Sequence, residues 1–419
     1  PLVRRMKEFV KTSVVWGPLD HNLFFTIIFL NVYGIIMVYS ASYNNSITKN
    51  YSYFMNNQLK NVIFGFVIMI VASYVNYHRI VRLGWGWFWL LAAVAIIAAL
   101  KTPLAHSELG ATRWIKLGPV SFQAAEPIKA AIIIFFAYYV SYWGLNRWYN
   151  QLLACLLAIA LLGFLFFFSN NLSTVIVLFC ICAVIILSSV KKPDLYWYFL
   201  LGLALIIIAA IFVTVYLLMH QGAENFRFVR IRAWLHPEEY AADEGLQAMQ
   251  ARYAIGAGGF WGKGLGQSLI KFKLSYSYND FILAIICEEL GVFGVIVMMT
   301  LFGYLLYRIY KIAQNAWDIE GKVLAIGVFT QIALQLLINV MVVTSVIPTT
   351  GVTLPFFSAG GTSVVFLLAE LGMVLNVDKY AKERRFFEEA ERHVAQMEQR
   401  GGIGAAGWRR RLDSARTRR

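Results

Sequence analysis

The sequence predicts an all-α, polytopic integral membrane protein with ten transmembrane helices and a large extracytoplasmic loop between the seventh and eighth. Three observations carry that expectation. The chain is 59% hydrophobic and 14% charged, with a mean hydropathy of +0.62, whereas soluble domains are about 45–50% apolar and about 25% charged. Ten apolar runs divide its 419 residues, and a helix crosses the hydrocarbon core with about 20 such residues. Runs such as Leu90 to Leu100 do not alternate polar and apolar, which disfavours a β-barrel. The same composition excludes an ordinary soluble enzyme, a disordered chain and a fibrous one.

The runs lie at roughly 22–41, 60–76, 84–100, 123–141, 151–168, 172–190, 195–219, 280–310, 322–346 and 361–377. An even number places both termini on one side. Arg4, Arg5, Lys7 and Lys11 precede the first run, and Arg79 and Arg82 follow the second. Arg147, Lys191, Lys192, Arg308, Lys311 and Lys322 occupy later connections on that same side, while the short connections opposite hold few charges. The positive-inside rule then makes that side cytoplasmic. The layout is a cytoplasmic segment 1–21, a membrane domain 22–378 and a basic cytoplasmic tail 379–419. The formal net charge of +14 is read as this orientation signal and not as nucleic-acid binding. The first run is long and lacks an A-x-A-like site, so it is expected to stay as an uncleaved helix. Cys155, Cys180, Cys182 and Cys287 all lie in apolar runs and read as packing residues, with no disulfide framework.

Two connections are more than links. Residues 101–122 hold Gly110, Gly118, Pro103 and Pro119 and are expected to form a loop. Residues 220–279 are the one long insertion, rich in aromatics, Arg and Gly. Loops beyond about 12–15 residues are usually functional or disordered, and this composition favours an ordered one. The tail from Lys379 reads as a charged helix to about Arg400.

Ionisable residues inside spans are costly and are functional candidates by default. Glu126 and Lys129 are three apart and share one helix face, either as a structural ion pair or as a polar site facing a cavity. Asp280 stands where the long loop enters the eighth run, in Tyr278-Asn279-Asp280-Phe281. It suits a general base and equally a helix N-cap. Glu288 and Glu289 follow two turns on. At about 100° per residue neither shares the face of Asp280 closely, so they read as polar glue to neighbouring helices. The cluster Gly256 to Gly266 fails the Walker pattern, because Gly264 follows Lys263 where Ser or Thr is required. It reads as a tight outer loop whose amides and Lys263 face a phosphate. Arg227, Arg230, Arg232, Lys271 and Lys273 in the same loop favour an anionic ligand. The uncharged, broken segment Gly351 to Ser363 reads as non-helical backbone lining a cavity. No HExxH motif, Cys/His cluster or Ser-His-Asp signature is present, so no metal-ligand set is expected from the sequence.

Five segments together resemble the SEDS family of FtsW, RodA and SpoVE. They are Gly110-Ala-Thr-Arg-Trp-Ile-Lys-Leu-Gly118, Ser121 to Lys129, Ala254 to Ser268, Asn279-Asp-Phe-Ile-Leu-Ala-Ile-Ile-Cys-Glu-Glu-Leu-Gly291 and Leu354-Pro-Phe-Phe-Ser-Ala-Gly-Gly-Thr-Ser363. Their order and spacing match over residues 18–378. The chain departs from the family at Ser169-Asn-Asn-Leu-Ser-Thr174, where Gln-Pro-Asp-Leu-Gly-Thr is frequent, and at Ala359-Gly-Gly361. The Arg-Trp and Gly-Lys-Gly-Leu-Gly segments lean toward the division-type members.

The resemblance implies an inverting peptidoglycan glycosyltransferase that polymerises lipid II into glycan strands at the outer face of the bacterial cytoplasmic membrane. It implies a class B penicillin-binding transpeptidase as partner, beside membrane lipids and the nascent strand. Asp280 matches the essential aspartate, and Arg113, Trp114, Glu126 and Lys129 match further motif positions. Lys263, Ser358 and Ser363 join the candidate substrate-binding set, with Mg²⁺ or Mn²⁺ as candidate cofactor and no organic one. A lipid II transporter and a non-catalytic scaffold for the transpeptidase remain as alternatives.

Overall fold

The computed structural model describes residues 19–42, 53–82, 86–103, 105–108, 111–117, 120–169, 171–190, 226–239, 244–272, 274, 278–358, 361–399 and 406–410. Its helices run in the order α1 (His21–Ser42), α2 (Tyr53–Tyr74), α3 (Tyr77–Val81), α4 (Trp87–Ala99), α5 (Ala125–Trp143), α6 (Trp148–Ser169), α7 (Leu172–Ser189), α8 (Phe226–Leu235), α9 (Glu244–Gly258), α10 (Ile282–Asn315), α11 (Ile319–Val343) and α12 (Thr362–Gln399). Six of them, α1, α2, α6, α7, α10 and α11, are long and apolar enough to cross a membrane. The predicted runs at 84–100, 123–141 and 361–377 coincide with α4, α5 and the first half of α12. The run at 195–219 lies outside the described residues.

The helix α1 shows why these segments belong in lipid. It carries no charge and no proline over 22 residues. Leu23, Ile27, Leu30 and Met37 are fully buried, while Phe25, Phe29, Val32 and Ile36 on the other face are exposed. A helix that is apolar all round is stable only where its outer face meets an apolar solvent. Isolated outward leucines are ordinary on soluble proteins, but here α2 and α6 repeat the pattern with Ile63, Phe64, Val67, Leu152, Leu156 and Ile159.

At the centre stands α11, which contacts α10, α5, α7 and α12. Its inward face is unusually polar: Thr330, Gln331, Gln335 and Asn339 are all buried. Both α10 and α12 exceed one bilayer. At about 1.5 Å per residue their 34 and 38 residues reach roughly 50 Å or more, against a hydrocarbon core of about 30 Å. The charged tail helix expected from Lys379 is therefore the uninterrupted continuation of the last apolar run.

Two expectations need correction. Residues 101–122 are not a plain loop, and the described chain is not purely helical. Strands β1 (Ala105–Glu108), β2 (Ala111–Leu117) and β3 (Val120–Gln123) form an antiparallel sheet in that order, pairing His106 with Trp114 and Trp114 with Gln123. Gly110, Gly118 and Pro119 stand between short runs holding Thr112, Trp114, Ile115, Val120 and Phe122, which are β-formers. Glycine and proline here punctuate strands. The second correction concerns Asp280 as an N-cap. Phe281 occupies that position and makes no side-chain capping bond.

The decisive local feature is a break in α10 at Gly291, whose φ of 65° and ψ of −163° are not helical. In a continuous helix the amides of Val292 and Phe293 would bond the carbonyls of Glu288 and Glu289. Instead Val292 donates to the carbonyl of Gly259 and Phe293 to that of Phe260, while Lys263 and Gly264 donate to the carbonyls of Glu288 and Glu289. These four bonds are 2.9–3.1 Å long. The loop after α9 is spliced into the ladder of α10, and these four groups freed by the break find partners in it. The splice needs backbones closer than a side chain allows. A Cβ on Gly291 would sit 2.4 Å from the amide nitrogen of Gly262, and one on Gly262 would sit 2.2 Å from the carbonyl oxygen of Glu289. Gly262 and Gly291 also both have positive φ.

Gly291→Ala and Gly262→Ala are therefore expected to destabilise the protein by more than the about 1–3 kcal/mol of a strained backbone. Gly303→Ala, in the same helix but with open space around an added Cβ, should be near neutral. Thermal melting of the detergent-solubilised variants measures the difference.

Candidate functional site

The splice ties the loop to the helix that follows Asp280. Glu288 and Glu289 are fully buried and bind the loop with their side chains as well. Lys263 Nζ lies 2.8 Å from Glu288 Oε1 and Lys271 Nζ 3.3 Å from Glu289 Oε1. Ser268 Oγ donates to Glu288, and the amides of Leu269 and Ile270 donate to the same carboxylate at 3.1 and 3.3 Å. Ser40 Oγ of α1 donates to Glu289. The polar-glue reading of this pair holds, with the outer loop rather than a neighbouring helix as the main adherend. The same contacts occupy the groups expected to face a phosphate. The ammonium of Lys263 is engaged by Glu288, and the amides of Lys263 and Gly264 are spent on α10. Within the cluster Gly258 and Gly262 are close-packing positions, where a Cβ would meet the backbone of Cys287 and Glu289.

Asp280 is half-buried in the turn that leads into α10. Its main chain is held from two sides. Asn339 Nδ2 of α11 donates to the carbonyls of Asp280 and Val352, both at 2.9 Å. Ser358 Oγ donates to the carbonyl of Asn279 at 2.9 Å and accepts from the amide of Leu354 at 2.7 Å. The broken segment before α12 is thus tied to the residues on which the candidate base rides. Ser358, expected as a ligand contact, is buried and acts on the backbone.

That segment also roofs the polar interior. Glu126, Ser358 and Ser363 line one small cavity together with Gln335, Thr353 and Leu354. Glu126 and Lys129 line a second with Gln123, Asn171 and Gln335. Glu126 and Lys129 are each at least 95% buried, and Lys129 Nζ lies 2.8 Å from Glu126 Oε2. The two readings of this pair converge: it is an ion pair that faces a cavity. Trp114 is partly buried on β2, paired in register with the cavity-lining Gln123. Arg113 lies on the same strand, and its side chain falls outside the described residues, as does Lys273. Arg230 and Arg232 lie on α8.

The sequence reading missed three contributors. Glu370 of α12 is buried, accepts from Gln331 Nε2 at 2.8 Å and lies in electrostatic reach of Lys129 and Glu126. An acid inside an apolar run is itself the signal. Asn339 has the same kind of signal, an amide within an apolar helix. Ser40 has none, because serine is common in membrane helices. Among the described residues, one group of three His, Cys, Asp or Glu side chains is close enough to hold an ion, His78, Asp318 and Glu320. It lies at the end of α10 remote from Asp280.

A bundle of membrane-crossing helices around a buried polar centre, with an ordered loop spliced into one helix, defines a polytopic membrane protein with an internal site. Residues 20–383 match the cell cycle protein family of FtsW, RodA and SpoVE, and the chain belongs to that family. It is 31% identical over 382 residues to a probable peptidoglycan glycosyltransferase FtsW of Trichlorobacter lovleyi, covering 89% of this chain and 96% of that one. It is 33% identical over 370 residues to the stage V sporulation protein E of Bacillus subtilis, covering 85% and 96%. Among solved structures, a chain described under structural coordination of polymerization and crosslinking by a peptidoglycan synthase complex superposes with a TM-score of 0.72 at 22% identity, over 87% of this chain and 99% of that one. The rod shape determining protein RodA of Thermus thermophilus superposes with a TM-score of 0.62 at 22% identity, over 87% and 97%.

Removing one member of a buried ion pair strands the other charge, at a cost on the order of 3–5 kcal/mol. Glu126→Ala and Lys129→Ala should each destabilise more than the double variant, as read by the folded fraction on heating in detergent. Additive losses would show that the side chains do not act as partners.

Proposed function

We propose that this chain is a peptidoglycan glycosyltransferase that polymerises lipid II into glycan strands, with Asp280 as general base. The observation that carries the reading is the mounting of Asp280: a half-buried carboxylate at the loop–helix junction, its main chain fixed by Asn339 and its neighbour's by Ser358. Relatives covering most of the chain bear that activity in their names. In the proposed step Asp280 takes the proton of the acceptor sugar hydroxyl. The oxygen attacks the anomeric carbon of the donor with inversion, and the polyprenyl pyrophosphate leaves. A pyrophosphate needs charge stabilisation and not protonation, a role we give to basic residues of the outer loop, Arg230 and Arg232 among them. Arg113, Trp114, Glu126, Lys129 and Ser363 bind and orient substrate.

The proposed setting is the bacterial cytoplasmic membrane, crossed ten times. Residues 1–21 and 379–419 lie in the cytoplasm, the membrane domain spans 22–378, and 220–279 are outside. That side is where a lipid-linked disaccharide keeps its tail in the bilayer and presents its sugars to water. The partner is a class B penicillin-binding transpeptidase, which cross-links the strands made here. A solved relative described as part of a peptidoglycan synthase complex supports this pairing.

Asp280→Asn keeps the size of the side chain and removes its basicity. General-base catalysis contributes about 10²–10⁴-fold, so purified Asp280→Asn should fold, bind the transpeptidase and form almost no polymer from lipid II in a gel assay. Polymerisation at the wild-type rate would refute the assignment, and lipid II transport without polymerisation by the wild type would favour a transporter. Orientation is tested separately in a chain whose four cysteines are replaced. Single cysteines within 220–279 should react with an impermeant reagent in spheroplasts, and those within 311–322 should not.

A further inference from the structure

At the end of the bundle remote from Asp280, the junction of α2 and α3 meets the turn between α10 and α11. Asn76 caps α3, its Oδ1 accepting from the amide of His78 at 2.9 Å. That bond identifies the atom as the amide oxygen. The same oxygen lies 2.9 Å from His78 Nδ1, so Nδ1 carries a hydrogen. A neutral imidazole has only one N–H, which leaves a lone pair on Nε2. Nε2 nevertheless faces two carboxylates, at 2.6 Å from Asp318 Oδ2 and 3.6 Å from Glu320 Oε2. A positive centre is required at that point.

The surroundings discriminate between a proton and a metal ion. Glu320 is 2% exposed. Its Oε1 accepts from Arg82 and from Ser141 Oγ at 2.9–3.0 Å, whereas its Oε2 is buried with no hydrogen-bond partner and aims at His78. A proton on Nε2 serves Asp318 and leaves Glu320 Oε2 unsatisfied. A single cation serves all three, whose ligand atoms lie within 4.8 Å of one another. Bonds of about 2.0–2.2 Å to N and O donors fit once the His78–Asp318 contact of 2.6 Å opens and the wider-spaced donors close on the ion. The outer contacts are those a metal site uses. Asn76 orients the ring, Tyr77 Oη donates to Asp318 Oδ2 at 2.8 Å, and the amide of Gly321 donates to Asp318 Oδ1 at 2.7 Å. A cavity of about 470 Å³ lined by Arg82, Tyr138, Ser141, Tyr142 and Glu320 gives a route in.

We propose that His78, Asp318 and Glu320 form a binding site for one divalent cation of the Zn²⁺ class, which clamps the α2–α3 junction to the α10–α11 turn. One imidazole and two carboxylates suit a borderline cation better than Mg²⁺ or Ca²⁺, which favour all-oxygen shells. The site is separate from the proposed chemistry, since the length of α10, about 50 Å if straight, lies between Asp318 and Asp280.

The test uses the full chain in detergent, without a polyhistidine tag and stripped with chelator. Titration calorimetry with Zn²⁺ should give one ion per chain, and Mn²⁺ should show a bound fraction by electron paramagnetic resonance. His78→Gln and Glu320→Gln should weaken Zn²⁺ binding more than tenfold and abolish the rise in melting temperature that Zn²⁺ gives the wild type. Asn76→Ala should weaken it about 10–100-fold through the ring it orients. Asp280→Asn should bind Zn²⁺ as the wild type does, whatever its polymerase activity, so the two proposals fail independently. The absence of stoichiometric binding by the wild type would overturn this one. Binding undiminished in both His78→Gln and Glu320→Gln would place the ion elsewhere and overturn it equally.

Discussion

The exchange of backbone hydrogen bonds between α10 and the loop 259–264 is the interaction on which the rest of the site depends. An unpaired peptide group at membrane depth costs several kcal/mol, so a helix break there persists only if something replaces the lost bonds. Here the loop supplies two donors and two acceptors at the turn where Gly291 leaves the helical region. The exchange fixes the loop relative to α10 to within a bond length. Because Asp280 stands two residues before that helix, the exchange also bears on how the loop sits relative to the candidate base.

Charge follows the same logic as backbone. Each buried acid on the loop side has a cation or a set of donors: Glu288 with Lys263, Glu289 with Lys271, and Glu126 with Lys129. Such pairs are poor sources of net stability, since desolvation offsets most of the attraction. Their effect is positional. A carboxylate that, like Glu288, receives a lysine, a hydroxyl and two backbone amides in one geometry leaves the loop one place to be. The cavities beneath are lined by the Glu126–Lys129 pair, Gln335 of α11 and further polar side chains, a polar interior enclosed by apolar helices.

Much of this was legible in the chain. Apolar runs mark spans because lipid demands uninterrupted hydrophobicity over a fixed thickness, and six of the helices meet that demand by composition alone. The spacing of Glu126 and Lys129 sets their pairing, since residues three apart on a helix are neighbours. The continuation of the tail as helix is also a local property. The strands at 105–123 were misread because Gly and Pro carry the same local signal between hairpin strands as within an irregular loop.

What the sequence by itself determined is therefore what has a short physical range: the membrane class, the apolar runs, the i,i+3 ion pair, and the prominence of Asp280 at a loop–helix boundary. Tertiary structure decided which long-range partner each polar group takes. Lys263 is equally basic beside a phosphate or beside Glu288, and only the approach of the loop to α10 selects the latter. Asn339 and Ser358 reach Asp280 and Asn279 across 59 and 79 residues, and His78 meets Asp318 across 240. No local periodicity encodes those separations, because they arise from how helices that are each stable in lipid settle against one another.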